Sequence, residues 1–340
     1  MKLRVLLVIS LILMVALPVM AMKVIMVTDV GGLGDKSFND GTWEGIVKAS
    51  DFLGLEKEVV QSKEQSDYIP NLSNAAKEAD IVFGVGFMMA DALYKVAPQF
   101  PDTYFVGIDI DPIENMPNNV ATYLFKEQEG AFLVGYVVAA MTKTNMVGFV
   151  GGIPIPPVER FRYGYEAGIR VYEELHGKTI SMLQGYTMDF NDPKKGKDLA
   201  LAQFAEGADI VFHASGACGN GVIEAAAEKG EGFFAVGVDV DQDYMAPGRV
   251  LTSSVKRVDM ASYQAVMSIA LGTFESGTKI LGIKDEGVGI SPMKYTKDVV
   301  GPAILGEVEF LKEQIKAGNV VVPDTQEKLD AFVVPAITLP

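Results

Sequence analysis

Three carboxylates, Asp29, Asp35 and Asp40, punctuate one glycine-rich stretch: Asp29-Val30-Gly31-Gly32-Leu33-Gly34-Asp35-Lys36-Ser37-Phe38-Asn39-Asp40-Gly41-Thr42-Trp43. It follows a short apolar run, Val24 to Val27, which reads as a buried strand. A turn of this kind suggests a phosphate cradle, because backbone N–H groups at a helix start attract anions. The spelling argues otherwise. A P-loop has Gly directly before Lys-Ser, where Asp35 stands, and a dinucleotide fingerprint has a third small residue where Ser37 falls. Three carboxylates would also repel phosphate. A neutral ligand carrying hydroxyl or N–H donors suits the stretch better. Phe38 offers a flat face to a ring, and Asn39 offers both a donor and an acceptor to the edge of a heterocycle.

Two further carboxylates occupy matching places far apart in the chain. Ala79-Asp80-Ile81-Val82-Phe83, with Gly84 and Gly86, leads through a helix to Val106-Gly107-Ile108-Asp109. Ala208-Asp209-Ile210-Val211-Phe212, with Gly216 and Gly219, leads through a helix to Val236-Gly237-Val238-Asp239. In open parallel sheets ligands bind beyond the carboxyl ends of the strands, so Asp109 and Asp239 belong at the edges of two similar lobes. Turn chemistry is their alternative reading, since Asp also caps helices and starts turns. If the lobes face one another, the two carboxylates converge on one cleft, where they accept hydrogen bonds only and suit vicinal hydroxyls. Phe190 is a second aromatic that could complete a sandwich with Phe38, or a staple preceding the cap at Asp192-Pro193. Lys256 can donate to a ring or bridging oxygen, or stand exposed at a helix start. A ring face, a heterocycle edge and a diol together describe a nucleoside.

The inventory for catalysis is thin. His176 and His213 read as structural, and neither a Gly-x-Ser-x-Gly, a His-Glu-x-x-His nor a paired cysteine site occurs. One enzyme reading survives, a calcium-dependent nucleoside hydrolase, whose acidic loop the stretch from Thr28 to Asp35 loosely matches. Five residues separate Asp29 from Asp35, too sparse for the six to eight oxygen ligands that calcium takes. No cofactor and no metal is expected.

The elements that position these residues follow from length and periodicity. Lys2 and Arg4, an apolar core from Val5 to Leu17 and Pro18-Val19-Met20-Ala21 have the layout of a secretory signal peptide over residues 1–21. The apolar core is short for a membrane span. The remaining chain of about 319 residues exceeds what one core normally serves. The net charge is −15, and −17 once Lys2 and Arg4 are gone. Such a surface repels nucleic acid and anionic membranes. Cys218 is the single cysteine, so no internal disulfide can form. Strand and helix alternate from Leu55 onward, as in a parallel sheet, and self-similarity over about 130 residues means duplicated domains. The expected organisation is a first lobe of residues 22–124 plus 251–284 and a second of 125–250 plus 285–340. The stretch Ser276 to Tyr295 reads as surface and crossover.

Four motifs in order carry a resemblance that covers nearly the whole exported part. They are Asp35-Lys36-Ser37-Phe38-Asn39 with its preceding Gly-Gly loop, Gly86-Phe87-Met88-Met89-Ala90-Asp91, Val147-Gly148-Phe149-Val150-Gly151-Gly152, and Asp192-Pro193-Lys194-Lys195-Gly196. Together they resemble the basic membrane lipoprotein family, purine-nucleoside-binding components of ABC transporters. The resemblance implies a type I periplasmic-binding-protein fold, two doubly wound α/β lobes joined by three hinge crossings. It implies a purine nucleoside of the adenosine, guanosine and inosine class, held between Phe38 and Phe190, and an ABC permease as partner. Asp29 and Asn39 would address the base, and Asp109, Gly216, Asp239 and Lys256 the ribose. Family members are commonly anchored through a lipidated Cys at the cleavage site, where this chain has Ala21-Met22. The expectation is therefore an exported receptor without a lipobox cysteine. A sugar receptor is the alternative within the binding class.

Overall fold

The computed structural model describes residues 22–339, so the expected leader lies outside the described residues. In chain order the elements are β1 (Lys23–Thr28), α1 (Phe38–Leu53), β2 (Glu56–Gln61), α2 (Tyr68–Glu78), β3 (Ile81–Val85), α3 (Ala90–Val96), β4 (Tyr104–Ile108) and β5 (Val120–Phe125). There follow α4 (Glu127–Met141), β6 (Met146–Gly151), α5 (Pro156–His176), β7 (Ser181–Tyr186), α6 (Pro193–Glu206), β8 (Ile210–Ala214), α7 (Cys218–Lys229), β9 (Phe234–Asp239) and β10 (Val250–Lys256). After α8 (Val258–Ala270) come β11 (Gly277–Leu281), β12 (Val288–Ile290) and the helix Pro302–Lys316.

Two six-stranded sheets result, ordered β2-β1-β3-β4-β5-β11 and β7-β6-β8-β9-β10-β12. Every pairing is parallel except that of β12 with β10. The duplication seen in the sequence is thus a duplication of topology. β3 and β8 are buried along their whole length, as expected of parallel strands covered on both faces, whereas the edge strand β2 alternates between half-buried and exposed. Helices cross closely where glycines meet. A Cβ on Gly135 of α4 would lie 2.1 Å from the Tyr165 carbonyl oxygen of α5, and one on Gly168 of α5 2.0 Å from that of Phe132. No side chain larger than hydrogen fits there. Among the described residues, no helix is long and apolar enough to cross a membrane.

The chain passes between the sheets three times, at Lys126 between β5 and α4, at Arg257 between β10 and α8, and over Gly282–Gly287 between β11 and β12. The three crossings are tied together, since Lys126 N donates to Leu281 O and Arg257 N to Gly287 O. The middle crossing corrects the expected boundary at 251. Residues 251–256 pair with β9 in the second sheet, and the return to the first lobe is made by α8, which packs on α1. The reason is visible in the duplication: β5 follows β4 in the first sheet, and β10 follows β9 in the second by the same rule. A strand buried at nearly every position carries no mark of which sheet it joins. Residues 276–295 also hold more than a crossover, for they supply an edge strand to each sheet. Both are short and mostly unburied, with Ile280 exposed, so alternation was not visible.

Candidate functional site

The parallel strands of both sheets aim their carboxyl ends at a cleft between the lobes, and the loops leaving those ends line a cavity there. From the first lobe, Asp29 leaves β1, Phe38 and Asn39 begin α1, and Asp109 leaves β4. From the second, Phe190 precedes α6, Gly216 follows β8, and Asp239 and Lys256 end β9 and β10. All eight residues singled out in the sequence line this one cavity.

The two duplicated carboxylates share an unusual backbone. Asp109 has φ 59° and Asp239 φ 63°, in the left-handed region that non-glycine residues enter rarely. Left-handed residues thus stand at matching places in both lobes, and both line the cavity. Burial pushes Asp109 up to about 6, against the pull of Lys256. Burial also raises Asp239, opposed by Lys256 and by the hydrogen bond from Ser37.

Lys256 is buried rather than exposed at a helix start. Its ammonium pairs with Asp109 across the cleft and with Glu127 at 2.8 Å, and Glu127 holds Arg160 Nε at 2.6 Å. Burial works against the charge on Lys256, but Asp109, Glu127 and Asp239 outweigh it and raise its pKa. Burial likewise opposes ionisation of Glu127, and Lys256 and Arg160 more than compensate. The ammonium also lies 5.1 Å from the Phe38 ring centroid and 5.0 Å from that of Phe125. Phe125 holds the place in the first lobe that Lys256 holds in the second: Gly107 pairs with Thr122 and Gly237 with Ser253, and each residue lies three beyond its paired strand position.

The opening stretch divides its carboxylates as chemistry requires. Asp35 accepts from the backbone N–H of Ser37, Asn39 and Asp40, and Asp40 accepts from those of Gly34 and Lys36, so both organise the start of α1. Burial raises Asp35 to about 7 despite those bonds. Asp29 accepts from Gly31 N at 2.9 Å and Asn39 Nδ2 at 3.1 Å. Burial raises it too, with both bonds opposing. Phe190 rests on Gly152, where a Cβ would come within 2.2 Å of its ring. Asp192 caps α6 through Lys194 N, a separate task from that of Phe190.

Several contributors were not among the site residues singled out in the sequence. Ser37 Oγ donates to Asp239 across the cleft at 2.5 Å, Gln242 Nε2 to Lys36 O at 2.9 Å, and Asn191 Nδ2 to Val30 O at 2.8 Å, so the lobes stand closed on each other. His213 is buried and held near pKa 4, so it is neutral, and its Nε2 meets Gln242 Oε1 at 3.0 Å. It positions Gln242 and does not reach the cavity lining. Ser215, beside Gly216, lines the cavity with a hydroxyl that has no hydrogen-bond partner among the described residues. Asn39 Oδ1 and Asp109 Oδ1 are also buried without a hydrogen-bond partner among the described residues. A buried polar atom left unpaired costs about 1–3 kcal/mol, so each of these three atoms calls for a hydrogen-bond partner. Among the described residues, no group of three or more His, Cys, Asp or Glu side chains is placed to hold a metal ion.

Comparison with known proteins fits this geometry. The family model for PnrA-like ABC transporter substrate-binding proteins matches residues 22–326. Basic membrane protein A of Borreliella burgdorferi is 34% identical over 315 residues, covering 91% of this chain and 90% of its own. An uncharacterized lipoprotein of Pyrococcus horikoshii is 34% identical over 313 residues, covering 89% of this chain and 75% of its own. Among solved structures, a solute-binding protein of an ABC transporter system from Aeropyrum pernix superposes with a TM-score of 0.80 at 30% identity, covering 91% of this chain and 96% of its own.

Proposed function

The chain belongs to the PnrA-like ABC transporter substrate-binding proteins, and from that premise we propose that it captures a purine nucleoside outside the cytoplasm and delivers it to a membrane permease. In this reading it is a receptor and not an enzyme. Its fold is the type I periplasmic-binding-protein fold, two doubly wound lobes joined by three crossings, a design that closes around ligands by hinge motion. Relatives named as lipoproteins and membrane proteins support the location.

The observation that carries the ligand assignment is the make-up of the cavity wall. Aromatic Phe38 and Phe190 come from opposite lobes, and Asp109, whose buried Oδ1 has no hydrogen-bond partner among the described residues, lines the same cavity. Phe38 and Phe190 would stack on the two faces of a base. Asp29 and Asn39 would meet its edge. Asp109 and Asp239 would accept from the ribose hydroxyls, Lys256 would donate to a ribose oxygen, and Gly216 would let the sugar approach the backbone. A nucleotide is disfavoured, since the cations nearest the cavity, Lys256 and Arg160, are already committed to carboxylates.

Calorimetric titration with adenosine, guanosine and inosine tests the proposal. Binding of at least one is expected, with free ribose failing to compete. Heat from ribose alone and none from nucleosides would turn the reading into that of a sugar receptor.

A further inference from the structure

The wall that faces the base in the reading above has a definite hydrogen-bond polarity. The Asn39 amide cannot be turned round. Its Nδ2 donates to Asp29 Oδ1 at 3.1 Å and lies 3.4 Å from Asp35 Oδ2, and the reversed amide would set an oxygen against two carboxylates. Its Oδ1 is therefore the atom left over, buried and unpartnered among the described residues. Asp29 is similar. Gly31 N and Asn39 Nδ2 both donate to Oδ1, and Oδ2 receives no hydrogen bond from the described residues. Gly86 makes room for that oxygen, since a Cβ there would lie 2.7 Å from it. With Asp29 ionised, both side chains thus spend their donors or their inner oxygen on each other and leave acceptors alone for a base.

We propose that Asp29 and Asn39 select, among nucleosides, a base whose edge presents two adjacent donors, that is a 2-amino-6-oxopurine. The inference rests on the nucleoside reading and narrows it. In guanine, N1–H and the 2-amino group stand side by side as donors. Hypoxanthine keeps only N1–H. Adenine sets its amino donor beside the lone pair of N1, which would face an oxygen lone pair on this wall. Cytosine has the same mixed edge, and uracil offers a single donor. Leaving a buried acceptor unpaired, or opposing it with another acceptor, weakens binding by about tenfold or more at each position.

The test is calorimetric titration of the full chain, stripped of any carried ligand by unfolding and refolding, with guanosine, inosine and adenosine. Guanosine should bind about tenfold or more tighter than inosine, and inosine tighter than adenosine. Asp29→Asn adds a donor to the wall, so the guanosine-to-adenosine affinity ratio should fall by about tenfold or more. Adenosine binding as tightly as guanosine to the unaltered chain would overturn the inference and leave the nucleoside reading standing. An unchanged ratio in a folded Asp29→Asn variant would overturn the assignment to this wall. If none of the three binds, the reading beneath the inference fails with it. Should the variant not fold, the series on the unaltered chain still decides.

Discussion

The hydroxyl of Ser37, at the start of α1, donates to the carboxylate of Asp239, at the end of β9, and this 2.5 Å bond joins one lobe to the other. With the bonds from Gln242 and Asn191 it forms a seam along which the protein closes on itself. Closure therefore has favourable contacts of its own, in addition to any that a ligand supplies. A hydrogen bond to a charged acceptor contributes about 1.5–3 kcal/mol. Ser37→Ala should shift the ligand-free protein toward open forms and weaken binding by a comparable amount. Small-angle scattering of the ligand-free variant should show a larger radius of gyration. An unchanged radius and affinity would make the bond incidental.

The ammonium of Lys256 sits between Asp109 and Glu127 with almost no access to water. Lys256→Met leaves buried Asp109 without its ammonium and Glu127 with Arg160 alone, and removing one member of a buried ion pair costs about 3–5 kcal/mol. Urea denaturation at neutral pH should show the loss. It should shrink on acidification, because a protonated Asp109 no longer needs the ammonium. A loss independent of pH would mean that packing, and not charge, is what the lysine provides.

Asp35 gives a pH signature of known sign. Its folded pKa of about 7 lies above the ordinary aspartate value near 3.9. The native state therefore holds its proton more tightly than the unfolded chain. That contribution to stability is complete below about pH 4 and is lost as pH rises through about 7, at roughly 1.4 kcal/mol per unit. Urea midpoints of the unaltered chain and of Asp35→Asn, followed from pH 4 to 8, should diverge in the variant's favour as pH rises. Parallel curves would show that Asp35 titrates normally.

Gly152 decides where the Phe190 ring can lie. A Cβ at this position would meet Phe190 Cε1 at 2.2 Å, so the ring would have to shift. Gly152→Ala should therefore weaken nucleoside binding by about 1–3 kcal/mol, the usual size of a base–aromatic stacking contribution, with little change in melting temperature. Calorimetry beside a thermal melt separates the two. Full affinity in the variant would remove Phe190 from the stacking role.

What could be read without coordinates was whatever repeats or alternates. The recurrence of Val-Gly-x-Asp exposed both lobes, and the eight marked residues do share one cavity. The boundary at 251 missed because β10 is buried along most of its length and looks the same whichever sheet it joins. Ser37 and Gln242 were missed for a different reason: each acts on the opposite lobe, about 200 residues away in the chain, and nothing local announces that partner. Glu127 did leave a trace, being an acid at the head of a helix buried almost throughout, and so did Ser215 as the neighbour of Gly216. Arg160 lies in a helix with many exposed and half-buried positions, where a charge draws no notice.

The exchange of Phe125 for Lys256 at one duplicated place has a geometric result. Two like halves facing each other, each with its own left-handed aspartate, would form a cleft that looks alike from either end. An elongated guest could then lie in it in two opposed directions with equal comfort. One copy carries a cation where the other carries a ring, so the near-symmetry fails at this place in the wall. The cleft acquires a head and a tail, and a guest with one aromatic end and one hydroxylated end has a single way to lie down.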